Sequence, residues 1–107
     1  MKKRINSVVY YFLIEAVPSC VNPEICEVSG AYVNCWVKAE TKAFALIKIK
    51  EHLKEENWLY VRTEDVFIAE RERYIDIPES LECYDFACEN GIGSIFYTWL
   101  SDDDVLS

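Results

Sequence analysis

Nine carboxylates crowd the stretch Glu64, Asp65, Glu70, Glu72, Asp76, Glu79, Glu82, Asp85 and Glu89. Such a set can supply a general acid and base or ligands for Mg²⁺, but either chemistry needs a pair held at a fixed geometry. No D-x-D or calcium-loop spacing fixes one, and Asp102, Asp103 and Asp104 are contiguous, which spreads charge instead of converging it. The five cysteines, Cys20, Cys26, Cys35, Cys83 and Cys88, are odd in number and form no C-x-x-C pair, and His52 is the single histidine. Structural zinc wants four closely spaced Cys or His ligands, so no metal is expected. A thiol nucleophile needs an electropositive setting, and Glu79, Glu82, Asp85 and Glu89 give Cys83 and Cys88 the wrong sign. His52 has no Ser, Cys or Asp at a spacing that implies a triad. Gly91-x-Gly93 is too short for a phosphate loop and follows a helix where such a loop would precede one. No catalytic residue and no cofactor is expected from these patterns.

The chain must therefore be read through the elements that carry these groups. At 107 residues with 51% hydrophobic and 14% aromatic side chains, it has the material for one domain with one core, and three glycines and three prolines exclude a low-complexity chain. The net charge of −8 is unevenly placed: residues 1–63 hold nine basic and seven acidic side chains, whereas residues 64–107 hold two basic and twelve acidic, net −10. That field repels phosphate backbones and anionic lipid and attracts a basic partner. Neither nucleic acid nor membrane is an expected partner. Lys2, Lys3 and Arg4 before an apolar run, with Val17-Pro18-Ser19-Cys20 beyond it, imitate a secretory leader. Glu15 inside the run and Pro18 near its end oppose that reading, and the thiols suit a reducing cytoplasm. A disulfide between Cys20 and Cys26 is the alternative.

From Ser7 to Val17 both alternating faces are apolar, as in a strand covered on both sides. Ala31 to Ala39 alternates small apolar residues with Tyr32, Asn34, Trp36 and Lys38, which predicts a second strand paired to the first through a long loop. Thr41 is an N-cap for a helix over Lys42 to Glu56, with Ala45, Ile49, Leu53, Leu46, Ala43 and Ile47 in an arc of about 200°. Asn57 ends it. Trp58 to Thr63 and Val66 to Glu70 are extended, with Glu64-Asp65 a bend, bulge or turn between them. Pro78 starts a second helix whose apolar arc holds Leu81, Cys83, Tyr84, Ala87 and Cys88; Asn90-Gly91 stops it, and Ile92 to Leu100 is the last strand. The order predicts an α+β two-layer sandwich: a four- to five-stranded, largely antiparallel sheet with both helices on one face.

Tyr32, Trp36, Trp58 and Tyr60 are then expected together on the outer face, either as aromatic anchors beside the acidic half or as a second face of the sheet covered by a loop or by another copy of the chain. The segments AYVNCWVKAETKAFALIKIKEHLKEENWLYVRTEDV and ERERYIDIPESLECYDFACENGIGSIFYTW resemble small uncharacterised bacterial α+β proteins over about residues 31–99. The resemblance carries over no functional residue. In size and charge the chain also resembles the immunity proteins of bacterial toxin systems, which implies neutralisation of a cationic toxin by electrostatic complementarity. The expected function is thus a non-enzymatic, cytoplasmic protein-binding domain of the immunity or antitoxin kind, with Glu64, Asp65, Glu70, Glu72, Asp76, Glu82, Asp85, Glu89, Trp36, Trp58 and Tyr60 meeting a basic partner. A self-associating domain, dimeric through the aromatic face or the last strand, is the alternative. An enzyme with an unrecognised carboxylate site ranks below both.

Overall fold

A computed structural model describes residues 7–19 and 28–100. Cys20, Cys26 and the three consecutive aspartates lie outside these residues, and with them the alternative disulfide. The doubly apolar run forms β1 (Val8–Pro18), and β2 (Val28–Ala39) pairs with it antiparallel, Phe12 opposite Cys35 and Ile14 opposite Val33. Thr41 is extended at φ −137° and its hydroxyl accepts from the Phe44 amide at 3.1 Å, which caps α1 (Lys42–Glu55). Asn57 reverses the chain at φ 68°, in the left-handed region that asparagine tolerates. The next segment, β3 (Trp58–Ala69), is one strand, antiparallel to β1. Leu13 faces Asp65 while Ile14 faces Thr63, so Glu64 is an extra residue; Val61 is another, between the partners of Glu15 and Ala16. The break at Glu64-Asp65 is therefore a bulge inside a continuous strand.

A 3-10 turn at Arg71–Tyr74, which nothing in the sequence pattern announces, leads into α2 (Pro78–Asn90), and Gly91 follows it at φ 105°. The chain ends its described part in β4 (Ile92–Leu100), antiparallel to β2. Across the sheet the order is β3-β1-β2-β4. The class is α+β with a four-stranded antiparallel sheet, as expected.

The helices divide between the two faces of that sheet, where both were expected on one. Alternation along β2 makes this plain. Val33, Cys35 and Val37 pack with Ala45, Ile49 and Leu53 of α1, whereas Trp36 packs with Ala87 of α2 and with Tyr74. The topology gives the reason. To reach β3 from β2 the chain crosses β1 through α1, and to reach β4 at the opposite edge it must recross the sheet; with one face filled by α1, α2 takes the other. The buried stripe of α1 is also narrower than the arc read from its sequence, since Ala43 and Ile47 are exposed, Leu46 is half-buried and only Ala45, Ile49 and Leu53 are fully buried. The small residues Ala31, Val33, Cys35 and Val37 make a flat seat that admits one row of the helix. Lys50 folds its ammonium over the Tyr60 ring, 4.7 Å from the centroid. Burial of each large apolar side chain stabilises by about 1.5–3 kcal/mol, against about 0–1 kcal/mol for an exposed ion pair. The two apolar layers, and not the charges, hold this fold.

Candidate functional site

The structure scatters most of the acidic candidates. Glu82 and Glu89 lie exposed on α2, Asp76 precedes that helix, Glu70 precedes the 3-10 turn and Glu72 lies within it. Asp85 is tied to Arg71 by two hydrogen bonds of 2.9 and 3.0 Å, and this partner holds its carboxyl below the usual range. Among the described residues no group of three or more His, Cys, Asp and Glu could hold a metal ion.

The aromatic candidates also part company. Trp36 is 1% exposed beneath α2, and Trp58 is 8% exposed in the layer under α1. They lie on opposite faces and are core. Tyr60 is half-buried on the α1 side, its hydroxyl 2.7 Å from Thr63 Oγ1. The shared outer face expected of these residues does not form, because β1 separates β2 from β3 and the bulges of β3 shift its alternation. Only Tyr32, 42% exposed, presents a ring to solvent as expected.

A different surface comes together on the α2 face. That helix and the 3-10 turn cover the sheet around Val9, Trp36 and Ala69 and leave the other half bare. On the bare half, Leu13, Tyr32 and Tyr97 line a shallow, largely apolar recess of about 380 Å³ with Glu64 beside it. Tyr97 is 49% exposed, and Tyr32 leans on Trp99 with ring centroids 5.0 Å apart. Trp99 itself crosses Gly30, where an added Cβ would stand 2.5 Å from its ring. At the margin Arg62 bridges Glu15 at 2.6 Å and Glu64 at 2.9 Å, while Asp65 faces Leu13 across the β1–β3 pairing.

Where the bare half meets the covered half, a cavity of about 280 Å³ opens between Tyr11, Asn34, Asp65, Phe67, Arg73 and Tyr74, with Trp36 and Ser80 completing its wall. Tyr11 is the hub. Its ring lies 5.3 Å from Trp36 and 4.8 Å from Phe67, and its hydroxyl donates to Asn34 Oδ1. Burial, then the neighbouring Tyr74 and Asp65, push the Tyr11 phenol up to about 12. Tyr74 meets Trp36 edge-on at 5.6 Å, and the Arg73 guanidinium sits 4.4 Å above Phe67. Sequence reading did not single out Tyr11, Phe67, Arg73, Tyr74 or Tyr97 for a site. Tyr11 and Tyr97 were legible as strand residues, but Arg73 and Tyr74 depend on a turn that only tertiary contact creates.

A third recess lies at the outer edge of β4, between the helices. His52 Nε2 stands 3.1 Å from Ser94 Oγ, and the Cys83 thiol reaches the Ser94 carbonyl at 3.9 Å. A base beside a hydroxyl is the beginning of nucleophilic chemistry, yet it needs a third group to orient the base. Among the described residues none bonds the second ring nitrogen of His52. Burial, followed by Glu82 and Glu79, raises the pKa of the Cys83 thiol, which keeps it protonated. No helix among the described residues is long and apolar enough to cross a membrane. No family model, no curated protein and no solved structure matches this chain.

Proposed function

We propose that this chain is a non-enzymatic protein-binding domain, of the immunity-protein or antitoxin kind, that docks a basic partner on the bare half of the α2 face. The observation that carries this reading is the recess of Leu13, Tyr32 and Tyr97, left uncovered by either helix and bordered by Glu64 and Asp65. Apolar rings at the centre with charge at the rim is the anatomy of protein interfaces. The rim carboxylates and the net charge of −8 favour a cationic partner and speed its encounter. A second copy related by a two-fold axis would bring its own carboxylates to the same rim, which disfavours self-association there. The free thiols of Cys35, Cys83 and Cys88 support a reducing, cytoplasmic setting.

A random-peptide display selection on the immobilised full chain tests the reading. Enriched peptides should be rich in Lys and Arg, lose binding as salt rises, and fail to bind a Tyr32→Ser/Tyr97→Ser variant, whose changes fall on exposed side chains and leave the fold intact. Selected peptides without a basic excess, or unchanged binding to that variant, would overturn it. A dimer in light scattering that the same variant dissociates would replace it with self-association.

A further inference from the structure

The outer edge of β4 is open. In the order β3-β1-β2-β4 this strand closes one side of the sheet, and no described strand pairs with it there. Lys38 donates its amide to the Gly91 carbonyl at 2.9 Å, and the next pair along is Val37 opposite Ile92. Antiparallel partners alternate between bonded and non-bonded pairs, so Gly93, Ile95 and Tyr97 spend their backbone groups on β2, while Ile92, Ser94, Phe96 and Thr98 turn theirs outward. The Cys83 thiol, 3.9 Å from the Ser94 carbonyl, meets one of these outward groups. Natural edge strands are blunted by bulges, prolines or charged side chains, because an unblunted edge recruits further strands. At the opposite edge β3 carries two extra residues and the charges of Arg62, Glu64 and Asp65. β4 has none of these devices. Its pairing with β2 runs without a shift from Ile92 to Trp99, and the strand IGSIFYTWL holds neither a proline nor a charge.

The flanks of this edge select what fits it. Between α1 and α2, beside the first residues of β4, lies a recess of about 380 Å³ walled by His52, Cys83, Phe86, Ile92 and Ser94 and bordered by Glu82. A second space of about 210 Å³ shares His52 and Ile92 with it and is lined by Glu51, Glu55 and Lys48. Phe86 is 55% exposed and offers apolar surface. The Lys48 ammonium donates to the Lys38 carbonyl at 2.8 Å, whereas Glu51, Glu55 and Glu82 are exposed and enter no ion pair among the described residues. Three carboxylates against one ammonium give the groove a negative sign. We infer that β4 takes up an extended, basic segment of a partner protein as a fifth strand. The segment's backbone bonds to the outward groups of Ile92, Ser94, Phe96 and Thr98, and its side chains alternate between the α1 side, with Glu51 and Glu55, and the α2 side, with Phe86 and Glu82. A second copy of this chain is disfavoured as the occupant, since its β4 would bring the same carboxylates and the same net charge of −8. The inference rests on the edge and its flanks and not on the recess at Tyr32 and Tyr97, so either reading can fail without the other.

Amide hydrogen exchange on the nitrogen-labelled full chain tests this residue by residue. In the free protein the Ile95 and Tyr97 amides should be protected, and those of Ser94 and Phe96 should exchange rapidly. The probe is the end-blocked peptide Lys-Val-Lys-Val-Lys-Val-Lys-Val, which at saturation should slow the Ser94 and Phe96 amides at least about tenfold. Its Glu-Val counterpart, and the Lys-Val peptide N-methylated at every residue, should leave both amides unprotected. Glu51→Gln/Glu82→Gln changes only exposed side chains and should weaken the Lys-Val peptide about fivefold at low salt, a difference that high salt removes. Ser94 and Phe96 already protected in the free protein would overturn the inference, and light scattering would then assign the edge to a second copy if the protein is a dimer, or to the chain's own residues if it is a monomer. No protection from the Lys-Val peptide, equal protection from either control peptide, or unchanged affinity in the double variant would also overturn it.

Discussion

Gly93→Ala is the sharpest probe of where α2 sits. Gly93 pairs with Trp36 on the face that α2 covers, and a Cβ built on it would lie 2.7 Å from the Cys83 carbonyl oxygen and 3.3 Å from the Cys83 carbonyl carbon. The obstacle is backbone in mid-helix, so no rotamer relieves the clash. The helix has to lift, and it is pinned by the buried Ala87 and by Lys38, whose ammonium donates to the Cys88 carbonyl at 3.3 Å. Overpacking costs about 1–3 kcal/mol, and backbone against backbone belongs at the upper end. Alanine recovers about 0.5–1 kcal/mol that glycine loses in a strand, leaving a net loss of about 2 kcal/mol. For a domain of this length that lowers Tm by about 10 °C. Urea denaturation followed by tryptophan fluorescence measures it. Gly91→Ala is the companion: its φ of 105° is strained for alanine, yet nothing lies within 4 Å of the added methyl, so it should cost about 1 kcal/mol. A Gly93→Ala protein as stable as the parent, or more stable than Gly91→Ala, would mean that α2 does not rest on the backbone of β4, and the two-faced arrangement would fall.

Thr41→Ala removes the cap on the Phe44 amide and should cost about 1 kcal/mol, read as a lower urea midpoint at unchanged slope; an unchanged midpoint refutes the cap. Burial, with Cys83 a lesser cause, pushes the Cys35 thiol from 9.0 up to about 12, so the fold keeps a proton that the unfolded chain releases. That contribution is complete below about pH 9 and is lost as pH rises toward 12. Cys35→Ala should therefore flatten the alkaline fall in stability between those values, and parallel curves for parent and variant would refute the assignment. In the native protein, thiol labelling should reach the half-buried Cys83 and Cys88 before the buried Cys35; Cys35 reacting first would place it outside the α1 layer.

What the sequence disclosed and what it withheld divide along one line: the range of the interaction involved. Thr41, Asn57, Pro78 and Gly91 mark the ends of both helices through bonds and dihedral angles made within a few residues, so those ends are legible from the chain. Alternation within β2 likewise separates Cys35 from Trp36 on the sequence alone. Alternation does not pass from strand to strand, however, since it restarts at every bulge and every crossover. Trp36 and Trp58 therefore looked like neighbours on one surface and are buried on opposite faces. The 3-10 turn is the extreme case. Arg71–Tyr74 is a polar tetrapeptide with no side-chain cap, and its Tyr74 is buried by residues distant in sequence or on α2, Trp36 and Tyr84 among them. The same logic governs the acidic residues. A run of carboxylates along the chain sets the sign of the field, but the face on which Glu64 and Asp65 stand beside Tyr32 and Tyr97, while Glu82 and Glu89 lie out on α2, is decided by strand order and by the path of α2. A binding surface built from β1, β2, β3 and β4 has no segment of sequence to itself, so charge counting could suggest a basic partner without locating where it lands.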